Sequence, residues 1–199
     1  MLLFQVITSK IIEMKKIEIS EKYRKYLIQI KLHDNSYYTV WGTDMNDNEN
    51  DKMLVKNNKL VLFYKIGTLK KKLFEYKGIF SDENNFENWI GEESFEESYS
   101  TTDLTCLCTF SELDLKNNKV ASDIIDSLNI ILDFYIQIKK NKRVFCSKLL
   151  LDFKDNLYNN HCWKNDGLVF PFNDVTIIKI QGILKKIYDD FVKQIEFIV

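Results

Sequence analysis

Tyr26-Leu27-Ile28-Gln29-Ile30-Lys31-Leu32, then His33-Asp34-Asn35-Ser36, then Tyr37-Tyr38-Thr39-Val40-Trp41 is the stretch that decides the fold. The first run partly alternates apolar and polar residues. The second is turn chemistry, and the third is rich in β-branched and aromatic strand formers. Together they predict a β-hairpin within residues 17–42. Outward from it, Asp44 to Asp51 reads as a polar loop and Lys59–Tyr64 as a further strand. Gly67-Thr68 offers a helix start, with Leu69, Leu73, Phe74 and Tyr76 on one face, a strand being the competing reading of so short a piece. Ser81 or Asp82 is placed to cap a short helix through Trp89-Ile90, ended by Gly91. Leu104–Leu107, extending toward Phe110, reads as a strand.

The second half of the chain is helical in pattern. Ile124, Leu128, Ile131, Tyr135 and Ile138 recur at steps of four, three, four and three, an amphipathic stripe in a helix predicted from Ser122 to about Lys140. Residues 144–160 fit either a strand over 144–151 or a helix over 146–158. Pro171 stops what precedes it. Asn173 or Asp174 then caps a long helix to about Ile195, with Ile180, Leu184, Ile187, Phe191 and Ile195 on its buried side. Strands first and helices later predict an α+β fold, an N-terminal antiparallel sheet with a C-terminal set of amphipathic helices. A length of 199 residues fits a single domain, 1–199. Met14 is an alternative start, which would make 1–13 a dispensable extension.

The near-neutral formal charge of −1 conceals a segregation. From Gly78 to Leu115 there is no Lys or Arg, while Asp82, Glu83, Glu87, Glu92, Glu93, Glu96, Glu97, Asp103, Glu112 and Asp114 all lie there. The 44–51 stretch adds Asp44, Asp47, Glu49 and Asp51, so all 28 basic residues lie outside the two segments. Phe86, Trp89, Phe95 and Tyr99 are interleaved with the acids, unlike the aromatic-poor acidic runs of disordered chains. Either the aromatics anchor the segment onto the core, or they are the anchors of a surface for a basic partner, with the acids supplying steering. The expected contact residues are Glu87, Trp89, Glu92, Glu93, Phe95, Glu96 and Glu97, with Asp44, Asp47 and Asp51. A second rank, Asp126, Asn129 and Asp133, lies on one polar face of the 122–140 helix. A mid-helix Asn is mildly unfavourable, so Asn129 is expected to bond something specific.

Other chemistries find little support. The cysteines at 106, 108, 146 and 162 form no C-x-x-C pair, and the histidines, His33 and His161, have no zinc-site spacing, so no metal is expected. Cys162 or Cys146 with His161 is the candidate pair for thiol hydrolysis. No phosphate-cradling glycine motif occurs, and no cofactor is expected. The Lys70-Lys71-Lys72, Lys139-Lys140 and Lys185-Lys186 clusters sit at helix ends or polar faces, which argues against direct nucleic-acid binding. No apolar run is long enough to span a bilayer. Reduced thiols and no recognisable leader suggest a cytoplasmic protein.

Asp126-Ser127-Leu128-Asn129-Ile130-Ile131-Leu132-Asp133 resembles the hydrophobic-hydrophobic-Asp-x-Leu/Trp-Asn-x-x-x-Asp helix of immunity proteins from bacterial polymorphic-toxin and contact-dependent inhibition systems. Lys59–Tyr64 leading into Thr68–Phe74 is similar to their strand and short helix. Cys106–Leu115 is similar to their Phe-x-x-Leu segment, and the Pro-led helix over 173–197 to their last helix. The likeness spans about 55–197 and lapses over 144–170. It implies a non-enzymatic protein that binds a cognate toxin domain, often a nuclease, in the cytoplasm. Two other classes remain open: an adaptor that binds another basic protein, and a cysteine hydrolase.

Overall fold

The computed structural model describes residues 14–141, 143–162 and 172–199, with the side chains of residues 144 and 162 left undescribed. The chain folds as α+β. Helix α1 covers residues 14–23. It is followed by β1 (Lys25–Leu32), β2 (Asn35–Asp44), β3 (Asn50–Met53), β4 (Val55–Lys56), β5 (Lys59–Phe63), α2 (Ile66–Lys72), a 3-10 segment (Leu73–Ile79) and α3 (Glu83–Glu92). Then come β6 (Ser100–Asp103), 3-10 turns at Leu104–Leu107 and Asp114–Lys116, α4 (Asn118–Gln137), α5 (Lys148–Leu157), α6 (Asp174–Val192) and β7 (Ile195–Ile198). Contacts divide the chain into two compact units. Of the described residues, one holds those up to Ile30, Ser36–Thr101 and Glu196–Val199; the other holds Lys31–Asn35 and those within Thr102–Ile195.

In the first unit the strands run β4-β5-β2-β1-β6, with β3 also on β2 and β7 also on β5. β2 is antiparallel to β3 and β5, and β4 is antiparallel to β5. The hairpin expected over 17–42 is present, but its first part is not strand: residues 14–23 are α1. Helical spacing of Ile19 and Tyr23, both packed on the core, carries that helix. The 44–51 stretch is not a free loop, because Asp44 ends β2 and Asn50 and Asp51 begin β3. β4 and β5 are joined by Asn57-Asn58, both at positive φ (51° and 60°), as a type I′ turn requires. Leu27, Val40, Val61 and Phe63 from the sheet, Leu69, Leu73 and Tyr76 from the α2 region, and Phe80, Phe86, Trp89, Ile90 and Phe95 build one core. Phe74, expected on the same face as Leu69, is exposed instead, because five residues after Leu69 carry it about 140° round the helix, next to but off the buried Leu69–Leu73 stripe. α3 runs past Gly91 to Glu92, so that glycine lies inside the helix.

The second unit is built on α4 and α6. Asn117, not Ser122, caps α4, its side chain accepting from the Lys119 N–H. Ile124, Leu128, Ile131 and Tyr135 are buried as their spacing predicts. Asn173 caps α6 through the Thr176 N–H, and Ile180, Leu184, Ile187 and Phe191 are buried. Phe134 of α4 meets Phe191 of α6 edge-on at 5.5 Å between ring centres. Tyr135 and Lys140 both bond Asp190, each at 2.6 Å. Residues 148–157 resolve as a helix, with Leu150, Phe153 and Leu157 buried. Leu104–Leu107 is a 3-10 turn rather than a strand. The strand lies just before it, at Ser100–Asp103, and Asp103 accepts from the Thr105 N–H, which turns the chain. α6 stops at Val192, and Ile195 starts β7. Pro171 and the expected extension over residues 1–13 lie outside the described residues. Among the described residues no helix is long and apolar enough to cross a membrane.

Candidate functional site

The acidic window divides into buried and exposed parts. α3 places Phe86, Trp89 and Ile90 on one face by three- and four-residue spacing, and that face is buried. Trp89 is fully buried, stacked on Phe86 at 5.8 Å and edge-on to Phe95 at 5.4 Å. Phe95 is buried at a positive φ of 58°, held where the Glu93 carboxylate accepts its N–H. Trp89, Phe95 and Glu93 are therefore core residues and not surface anchors. Aromatic rings at helical spacing bury with the sheet beneath them, whatever the charge of their neighbours.

Several other expected contact acids are already engaged within the chain. Asp44 is fully buried and accepts from Lys52 Nζ (2.7 Å), the Ser81 N–H (2.6 Å), Ser81 Oγ (2.8 Å) and the Asn46 N–H (3.1 Å). Lys52 also pairs with Asp47 at 2.8 Å, and Asp51 accepts from Thr43 Oγ1. Glu87 pairs with Lys77 at 3.6 Å. Glu92 receives Tyr23 Oη and Lys22 Nζ, which hold its carboxyl below its ordinary range. Asp44, Asp47 and Asp51 thus tie the β2–β3 hairpin together, Lys52 bridging the first two and Thr43 bonding the third. Glu83, Glu96 and Glu97 stay exposed, with no ion pair among the described residues.

The Asp44 cluster makes acid sensitivity predictable. Burial alone would raise its carboxyl, but the bonds from Lys52, Ser81 and Asn46 outweigh it and hold the folded pKa well below the ordinary aspartate range. A depressed folded pKa contributes stability that is complete above the unfolded pKa and is lost as pH falls toward the folded one. Asp44→Asn is expected to cost about 2–3 kcal/mol at pH 7, from bonds made to a buried charge. In urea unfolding the gap to wild type should shrink at pH 2.5. An equal gap at both pH values would show that the ionised carboxylate is not the source.

The second-rank helix residues also find partners. Asn129 donates to Tyr158 Oη at 2.9 Å and accepts from Lys154 Nζ at 2.8 Å, tying α4 to the α5 end. The specific bond expected of a mid-helix Asn is therefore internal. Asp133 lies near enough to Lys154 to favour its charge, and Asp126 is exposed, accepting from Ser122 Oγ. His161 bonds Asn118 at 2.8 Å, and the Cys162 side chain lies outside the described residues. Burial pushes the Cys106 thiol up to about 12, away from nucleophilic use.

One surface site escaped the sequence. Tyr26 of β1, Trp41 of β2 and Tyr99, just before β6, form a row of half-buried rings. Tyr26 and Trp41 are 5.3 Å apart at 37°, and Tyr26 and Tyr99 4.7 Å apart at 65°. With Glu21, Ile28 and Ser100 they line a groove of about 230 Å³. Glu21 Oε1 accepts from Tyr99 Oη at 2.8 Å. Burial, then the nearby Glu21 charge, pushes the Tyr26 phenol up to about 12, so it stays protonated. Its signal lay in the hairpin: a two-residue turn at His33-Asp34 sets Leu32 opposite Asn35, and counting back sets Tyr26 opposite Trp41.

No family model matches this chain, and no curated protein matches it. Among solved structures it is similar to the C-terminal domain of SatS, determined in complex with bromine. The TM-score is 0.62 at 9% sequence identity, over 90% of this chain and 96% of that one. At that identity the likeness is one of fold.

Proposed function

We propose that this protein is a non-catalytic binding protein that neutralises a cognate basic toxin domain, most simply a nuclease, in the cytoplasm of the cell that makes it. The observation that carries the reading is that Glu83, Glu96 and Glu97 are each exposed, within a segment that contains no Lys or Arg. Nuclease sites are electropositive because they bind phosphate, so an acidic face can cover one without any chemistry. Acids of this kind act first on the encounter rate and on its salt dependence. The Asn129 helix and the β5–α2 order, which resemble those of immunity proteins, support the same reading.

The test is co-purification with the product of the neighbouring toxin gene, followed by association kinetics. Glu83→Lys, Glu96→Lys and Glu97→Lys together should slow association about tenfold or more at low salt and much less at high salt. Glu93 is left out of the set because it is buried, and reversing it would place an unpaired cation in the core. Unchanged association at low salt would overturn the acidic-face reading.

A further inference from the structure

We infer that the groove of Tyr26, Trp41, Tyr99 and Glu21 receives an arginine side chain of the basic protein partner. The inference rests on the preceding reading for the partner but stands on its own geometry. Three aromatic rings from three separate segments line one small depression, and its rim carries a carboxylate. Aromatic faces are negative by their quadrupole, and an indole is the best of them for a cation. No Lys or Arg lines the groove. Arg24, which follows in the chain, is taken up by Glu49 at 2.8 Å.

Size and shape narrow the occupant. About 230 Å³ is below the ~300–1,000 Å³ typical of drug-sized sites and suits one long side chain. Tyr26 and Trp41 meet at 37°, a shallow trough in which a planar guanidinium can stack. Glu21 can accept its N–H groups as charge-assisted bonds, and Tyr99 Oη already holds that carboxylate in place. Ile28, almost fully buried, gives the aliphatic stem an apolar floor. An ammonium would satisfy the charge but not the stacking.

The test uses the full chain and blocked arginine (N-acetyl-arginine methylamide) as the probe, followed by NMR of the Trp41 indole and the Tyr26 and Tyr99 rings. These signals should shift saturably with blocked arginine and not with blocked norleucine, which has a similar stem and no charge. Glu21→Gln, an exposed conservative change, should weaken the probe about tenfold while leaving the spectrum folded. In the partner complex, Glu21→Gln and Tyr99→Ala should speed dissociation. Equal shifts from blocked norleucine, no shift, or free arginine binding more tightly than the blocked form would each overturn the inference, the last by marking a small-molecule site. If the acidic-face reversal slows association while these two variants leave dissociation unchanged, the groove assignment falls and the toxin reading stands. If no basic partner is found but the probe binds at these rings, the toxin reading falls and the groove chemistry stands.

Discussion

Lys25→Met is expected to lower the free energy of unfolding by roughly 3–5 kcal/mol, the range for removing one member of a buried ion pair. Lys25 is fully buried in β1, and its ammonium bonds Thr43 O at 2.5 Å and Asp82 Oδ2 at 2.9 Å. It also lies 4.6 Å from the Phe80 ring centre. Burial lowers its pKa, and the Asp82 bond restores part of that. Methionine fills the stem's volume but leaves the Thr43 carbonyl and a buried Asp82 charge without their cation. Asp82 still accepts from Asn85 Nδ2 and the Met45 N–H, so a neutral amide fits there better than a stranded carboxylate. The double variant Lys25→Met with Asp82→Asn should therefore recover part of the loss, about 1–2 kcal/mol. Urea titration of the four proteins measures this. A double variant as unstable as the sum of the singles would rule out coupling between the two charges.

Gly42 belongs to the same argument. A Cβ there would lie 2.6 Å from Lys25 Cδ and 2.7 Å from the Arg24 carbonyl oxygen. The glycine opens the space that the lysine stem crosses on its way into the core.

Trp89→Ala is expected to cost about 3–5 kcal/mol, through loss of a fully buried indole and the cavity left behind. For a chain of this size that lowers the melting temperature by roughly 6–20 °C. Trp89→Phe should retain most of the stability, because the stack on Phe86 survives. The affinity of the folded fraction for the basic partner should stay within twofold of wild type in Trp89→Phe. A tenfold loss of affinity in that variant, at full stability, would return Trp89 to the partner-binding surface.

The sequence made the two long helices legible because α4 and α6 each repeat apolar residues at three and four over many turns, and Asn173 stands where a cap belongs. The β1–β2 hairpin was legible through its alternation and turn. β3 and β4 were not: Asn50-Asp51-Lys52-Met53 and Val55-Lys56 are too short and polar to show a period, and only Asn57-Asn58 marked them. β7 was hidden because Ile195 continues the four-residue rhythm after Phe191, so the helix pattern overran its end. The charge of the acidic window was plain, but its exposure was not. Asp44 and Asp82 are buried because Lys52 and Lys25 reach them from other strands, a pairing that lives in tertiary structure. The Tyr26–Trp41 pair was available from turn counting, whereas Glu21 arrives from a helix that read as strand.

The pairing of β7 with β5 has a kinetic consequence. The first unit needs residues 196–199, yet the second unit's residues 102–195 are made in between. At about 5–20 residues per second, translation leaves the edge of β5 waiting roughly 7–26 s for β7. Closing so long a loop comes late by its entropy as well. During that interval Tyr64, whose N–H later bonds the Ile198 carbonyl, sits at an open strand edge. Completion of the first unit's sheet therefore waits on residues 195–198, and β5 keeps an open edge until they emerge, although its other partners lie close to it in sequence.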